Sequence, residues 1–158
     1  SRLWIADAIW KWAPNGNSHD TALTLQAEYF QRKEDGTLGV DSTAAGGALS
    51  ASDSYRATQS GGYAQAVYKF APGWRVGYRL DRLNHGTVNL GTNLNPADLP
   101  ILAAHDPSRN TLMVDWSPSE FSRVRLQYAQ DKSRLGVNDD QVWVQYIMSL
   151  GAHGAHKY

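Results

Sequence analysis

The sequence predicts an all-β fold, an antiparallel transmembrane β-barrel, on three observations. Hydrophobicity alternates with a period of two along most of the 158 residues, and no helical stripe interrupts it. The connections between alternating runs are short and long by turns. Aromatic residues gather at the ends of the runs, and six Trp and eight Tyr outnumber three Phe. Trp and Tyr favour places with one apolar side and one wet side.

Seven runs follow one another. In "LWIADAIWKWA", Trp4, Ala6, Ala8, Trp10 and Trp12 share one face, with Asp7 and Lys11 on the other. In "ALTLQAEYFQR", Leu23, Leu25, Ala27 and Tyr29 alternate with Thr24, Gln26, Glu28 and Phe30. In "YAQAVYKF", Ala64, Ala66, Tyr68 and Phe70 alternate with Gln65 and Lys69. In "WRVGYRLD", Trp74, Val76, Tyr78 and Leu80 oppose Arg75, Arg79 and Asp81. In "TLMVDWS", Leu112, Val114 and Trp116 oppose Thr111, Asp115 and Ser117. In "SRVRLQYAQD", Val124, Leu126 and Tyr128 oppose Arg123, Arg125 and Gln127. In "QVWVQYIMSL", Val142, Val144, Tyr146, Met148 and Leu150 oppose Gln141, Gln145 and Ser149.

A soluble sandwich also alternates, so the connections and aromatics decide between the two. "PNGNSHD", "APG" and "SPSE" are short and turn-like, whereas residues 33–62 and 82–109 read as long loops and "KSRLGVNDD" as an intermediate one. Short turns on one side and long loops on the other is the arrangement of outer-membrane barrels, whose long loops are extracellular. Trp12, Phe70, Trp74, Trp116 and Phe121 sit by the short turns, and Trp4, Tyr29 and Tyr128 toward the opposite ends. Two aromatic girdles flanking an apolar band match what a bilayer requires. In hydrocarbon every backbone N–H and C=O must be paired, and a closed sheet does this without helices. Residues 1–158 therefore read as a single barrel segment, its apolar face toward lipid and its polar face toward a wet lumen.

Formal net charge is zero, which argues against nucleic acid as a partner. The chain has no Cys, which excludes thiol chemistry and a Cys-ligated metal. No run of about 18 apolar residues predicts a transmembrane helix. Single-chain bacterial barrels have even strand numbers. Seven strands, with the last ending in the periplasm, imply at least one more before Ser1, so the chain is expected to be the C-terminal part of a larger barrel. The alternative is an eight-stranded barrel lacking one strand here.

"IWKWAPNGN", "YAQAVYKFAPGWRVGYRLDRL", "MVDWSPSEFSRVRLQYAQDKSR" and "QYIMSLGAHGAHKY" resemble the C-terminal part of a proteobacterial outer-membrane family. Its members are often labelled zinc-regulated TonB-dependent outer-membrane receptors or porin-like proteins. "DWSPSEFSR" and "MSLGAHGAH" are the most specific parts. The resemblance implies a Gram-negative outer-membrane location, further strands upstream and a transport role. A TonB-dependent receptor also carries a plug domain and an energy-coupling segment, and these 158 residues contain neither. The resemblance carries no zinc site onto this chain. Tyr158, on the lipid-facing parity, resembles the terminal aromatic that the barrel-insertion machinery reads.

The site expected to matter is the polar face: Asp7, Lys11, Glu28, Arg32, Lys69, Arg75, Arg79, Asp81, Asp115, Arg123, Arg125 and Asp131. Charges lining a pore tune which ions pass. Cations slightly outnumber anions, so a weak anion preference is expected; salt-bridge ladders between strands are the alternative. His85, His105, His153 and His156 are weak metal candidates without a completing ligand set, and no metal or cofactor is assigned. No G-x-S-x-G elbow or ordered triad appears, so no enzyme activity is expected. The expected function is a porin-like transport barrel for a small solute or ion, with outer-membrane lipid and the insertion machinery as partners. The alternatives are the barrel wall of a TonB-dependent, metal-carrying receptor, or a barrel sheathing a partner protein or upstream plug. Leu3, Ile5 and Ile9 face inward on the first run and keep the last reading open.

Overall fold

A computed structural model describes residues 1–41, 46–47 and 50–149. Seven strands form one antiparallel sheet in sequence order, with β1 and β7 as its edges. They are β1 (Arg2–Trp12), β2 (Ala22–Asp41), β3 (Ser50–Ala71), β4 (Trp74–Leu90), β5 (Ser108–Ser119), β6 (Ser122–Asp131) and β7 (Asp139–Met148). The sheet is open: among the described residues β1 and β7 do not pair with each other. The only helical pieces described are the 3-10 turns Pro96–Asp98 and Pro100–Leu102.

Turn chemistry explains the tight corners. Pro72 and Gly73 link β3 to β4. Gly73 has φ 76°, and a Cβ there would fall 2.6 Å from the Ser117 carbonyl, so only glycine serves. Glu120 and Phe121 link β5 to β6.

Of two stretches expected as loops, 33–62 is largely strand among the described residues, and 82–109 is strand only over 82–90 and 108–109. β2 runs on to Asp41 and β3 begins at Ser50, paired without a break from Lys33↔Thr58 to Asp41↔Ser50. β4 continues to Leu90 against Tyr55, so Thr87–Leu90 is an extension of β4. These extensions lack alternation because neither of their faces is an apolar one. Alternation reports one-sided burial, whereas ladder hydrogen bonds alone can carry a hairpin onward once its base is fixed. A bulge interrupts the β3–β4 ladder between Thr58 and Ser60. Gly86 sits opposite it at φ 66°, where a Cβ would lie 1.8 Å from the Thr58 carbonyl.

The register places the alternating apolar positions of the runs on one face, while Leu3, Ile5, Ile9, Phe30, Val67, Met113, Trp143 and Ile147 fall on the other. One row reads Trp12, Leu23, Tyr68, Val76, Val114, Leu126, Val144 across the strands. The next reads Trp10, Leu25, Ala66, Tyr78, Leu112, Tyr128, Val142. The apolar band is oblique to the strands. Its loop-side limit is Val142 on β7, but the row through Val142 meets β1 at Trp10, and the band continues there six residues further, to Trp4.

This face is not a covered core. Leu126, Val142, Val144, Tyr146, Trp4 and Trp10 are all more than half exposed, and among the described apolar residues only Ala57, Leu94, Leu99 and Ala129 are buried. The chain exposes 11385 Å² for its 17.5 kDa. A compact soluble protein of that mass would expose about 7,900 Å². The excess reflects a single open sheet whose two faces are both left uncovered among the described residues.

Candidate functional site

The opposite face is largely polar, and the register brings all twelve charged residues expected there onto it. It also sorts them by height, which parity alone does not reveal. On the turn side, Lys69, Arg75, Asp115 and Arg125 stand side by side on neighbouring strands. Arg123 lies two residues nearer the turn. On the loop side, one row crosses all seven strands: Asp7, Glu28, Tyr63, Asp81, Arg109, Asp131, Asp139. The tiers are six residues apart on β4, from Arg75 to Asp81, or about 20 Å at a strand's rise. Lys11 lies between them beside Thr24, and Arg32 lies beyond the loop-side row beside Leu3.

The turn-side tier centres on Asp115, 1% exposed. Arg125 grips it with two bonds, Nε to Oδ1 at 2.6 Å and Nη2 to Oδ2 at 2.9 Å. That bidentate fork satisfies a carboxylate well. Arg75 reaches Oδ2 only at 3.6 Å, an ion pair too long for a hydrogen bond. Lys69 donates to the Ser18 carbonyl at 3.4 Å. The tier thus holds four cations, Lys69, Arg75, Arg123 and Arg125, and one carboxylate, which Arg125 and Arg75 contact.

In the loop-side tier, the acids on β4 to β7 are largely paired. Arg79 grips Asp81 through Nε and Nη2, at 2.7 to 3.1 Å, and lies over the Tyr63 ring, 3.7 Å from its centre. Arg109 approaches Asp131 at 3.7 Å and donates to Gln141 at 3.1 Å. Asp139 pairs with Arg134. Asp7 and Glu28 face each other across β1 and β2, and among the described residues neither has a cation in ion-pairing range. Arg32 is taken up by Glu34. Tyr63 also accepts from Gln26 at 2.7 Å, which fixes the ring that Arg79 covers.

Between the tiers lies a concavity of about 530 Å³ lined by Arg75, Arg79, Arg109, Asp115, Arg125 and Gln127. Arg109 falls within a span expected as loop, but its parity with Thr111, Met113 and Asp115 marks it as a member of this face. Tyr63 was visible as a strand residue without a partner to give it a role.

Residues 91–107 fold back over the loop side. Asp53, on the β3 extension, holds this segment. It accepts from the backbone N–H groups of Asn93 at 2.7 Å, Leu94 at 3.0 Å and Ser54 at 2.7 Å. Burial pushes its carboxyl up, but these bonds together with one from Gly91 outweigh that and hold it below the ordinary carboxylate range. Sequence reading missed Asp53 because it lay inside a span read as loop. His85 donates its backbone N–H to Asp106 at 2.8 Å, and its ring Nδ1 lies 2.6 Å from the same oxygen. The backbone bond, then the ring, hold the Asp106 carboxyl below its ordinary range. The His105 ring lies 3.1 Å from the Ser133 carbonyl. Among the described residues no three His, Cys, Asp or Glu side chains converge as a metal set. His153, His156 and Tyr158 lie outside the described residues.

The chain is 30% identical over 142 residues to a protein of Aquifex aeolicus (strain VF5) titled only as uncharacterized. The match covers 86% of this chain but 27% of the relative, so the chain spans about a quarter of that protein's length. No family model matches the chain, and no solved structure matches it.

Proposed function

We propose that this chain is part of the wall of a transmembrane β-barrel in a bacterial outer membrane, and that the barrel passes small solutes, with a modest preference for anions. The oblique apolar band carries the reading. A slip of about one residue per strand, at about 3.3 Å rise and about 4.8 Å spacing, tilts the strands by roughly 35° to the band. Membrane barrels tilt by about 35–45° and need an apolar band about 25 Å tall. On β1 the band runs from Trp4 to Trp12, about 26 Å along the strand and about 22 Å in height at that tilt. A sandwich core has no reason to cut across its strands at that angle.

Three further features support it. The turn-side edge of the band is aromatic, with Trp74 stacked on Trp116 at 6.0 Å and Trp10 on Trp12 at 6.5 Å. The short corners lie on that side and the strand extensions on the other. The longer relative provides room for strands that would complete a wall whose edges are open here. Within the lumen, the turn-side tier carries an excess of positive charge and supplies the anion preference.

The barrel of a TonB-dependent receptor, or a sheath around a partner protein, is favoured by one observation. Leu3, Ile5, Phe30 and Leu83 form an apolar patch at the loop side of the polar face, beside the exposed Ile101. A plug or partner would cover it. Planar-bilayer recordings of the full-length protein separate the readings. Stepwise currents are expected from a porin-like channel, and silence with intact membrane insertion would favour the receptor or the sheath. Failure to insert into lipid vesicles would overturn the barrel.

A further inference from the structure

We infer that the turn-side tier is a binding site for a doubly charged tetrahedral oxyanion, phosphate or sulfate, with Arg75 and Arg123 as its main ligands. The inference rests on the lumen reading and names the solute class this stretch of wall would select.

The argument begins with satisfaction. Asp115 is the single carboxylate of the tier, and the Arg125 fork already occupies both its oxygens. Arg75 is left at 3.6 Å, without a hydrogen bond to it. Arg123 lies close enough to Arg75 for the two guanidinium groups to repel. Its Nε is buried with no acceptor. A buried, unpaired donor on a charged group is costly and calls for an acceptor. Water would satisfy the donor but would not offset the charge. Lys69, Arg75, Arg123 and Arg125 against Asp115 leave three positive charges in excess. A monovalent halide would leave most of that excess and offers no directed lone pairs. An oxyanion of charge two meets guanidinium forks with several oxygens at once.

Position agrees with chemistry. Arg75 lines the concavity between the tiers, so an anion there would be reached from the polar face rather than through the apolar one. Gln127, two residues from Arg125 on β6, borders the same concavity and offers a neutral amide donor to a remaining oxygen. The loop-side tier differs in its balance of charge. Arg109 also has a buried Nε without an acceptor and stands 3.7 Å from Asp131, but there Arg79 is consumed by Asp81 and the acids Asp7, Glu28, Asp81, Asp131 and Asp139 outnumber the cations.

The test uses the full-length protein, in planar bilayers bathed in potassium chloride. Inorganic phosphate or sulfate in the millimolar range should reduce the chloride current with saturating dependence. Arg75→Gln and Arg123→Gln should each raise the half-blocking concentration by about tenfold or more, as loss of a guanidinium fork implies. Arg75→Lys, which keeps the charge, should fall between. Arg79→Gln should change the block little. Glycerol 3-phosphate added alone distinguishes an organic phosphomonoester from the free ion as the preferred solute, and either being bound supports the site. A barrel that conducts chloride but is indifferent to phosphate, sulfate and glycerol 3-phosphate overturns the site and leaves the channel standing. If the protein conducts nothing, the channel reading fails, and calorimetric titration of the folded, detergent-solubilised protein with phosphate still decides the site. Heat that saturates in the wild type and vanishes in Arg75→Gln supports it, and no heat overturns it.

Discussion

The two faces of the sheet are written by the same strands yet organised differently. The apolar face is uniform in kind and ordered only by its tilt, from Trp4 on β1 down to Met148 on β7. The polar face is mixed in kind and ordered by height, with cations gathered near the short turns and unpaired acids toward the long hairpins. An apolar surface asks only to be out of water, so any apolar side chain of fitting size serves and the pattern tolerates exchange. Charges interact over distance and by sign, so their placement carries information that a hydrophobic band does not.

The largest predicted effect falls on the polar face. Asp115→Ala removes the buried acceptor that the half-buried Arg125 fork grips and leaves Arg125 and Arg75 facing each other unpaired. Breaking a buried pair by deleting one partner costs about 3–5 kcal/mol. Urea unfolding of the folded protein in detergent should show a loss of that size. A loss under about 1 kcal/mol would mean that the tier is as solvated as a surface pair and not a built cluster.

The next comparison sets neighbours against each other. Leu126 lies in the apolar row, and Gln127, one residue on, lines the polar concavity. In a bilayer, Leu126→Arg should destabilise by about 2–4 kcal/mol if it lies near the midplane, and Gln127→Arg far less. Equal costs at the two sites would break the distinction between the faces. The same pair tested in a water-soluble setting would not be expected to differ so much, so the measurement also addresses the membrane itself.

The selectivity prediction divides the polar face in two. Replacing Arg75, Arg123 and Arg125 with Gln should shift reversal potentials in a salt gradient toward cations. Replacing Asp7 and Glu28 with their amides should shift them the other way. Both shifts should shrink as salt rises, because screening acts over about 8–10 Å near physiological strength. If either set leaves the potential unmoved, those residues are ladders between strands and do not face the permeating ion.

How much of this was legible in the sequence follows from what alternation reports. The runs around Leu25, Val76, Leu126 and Val144 showed plainly, because one face of each meets something apolar. β6 matched from end to end, since Ser122–Asp131 alternates throughout and a turn closes it. Residues 33–41 and 50–62 did not show as strand, because Thr37, Ser52 and Thr58 stand among polar residues on both sides. Parity put the charges on one face but could not set their heights, since register depends on pairing across strands. The tiers, the isolation of Arg75 and the grip of Asp53 on the 91–107 segment all depend on that register. None is local in sequence.

The smallest predicted effect concerns that segment and its two carboxylates. Asp106 is held below its ordinary range by the backbone N–H of His85 and then by the His85 ring. A carboxyl lowered in the folded state contributes stability that is present above its unfolded value and lost as pH falls through its folded one. The fold-back of residues 91–107 should therefore be constant at neutral pH and loosen only in acid, below the ordinary carboxylate range. Asp53 is lowered in the same sense and should act over the same window. Because the chain has no Cys, a spin label at Ile101→Cys reports on this segment alone, at a side that is 90% exposed. Label mobility should be flat from neutral pH down to that range and then rise. Asp106→Ala should raise mobility at every pH and shrink the acid step, the remainder belonging to Asp53. An acid step of unchanged size in Asp106→Ala would show that the His85 contact holds nothing, and that the segment is anchored at the Asp53 end alone.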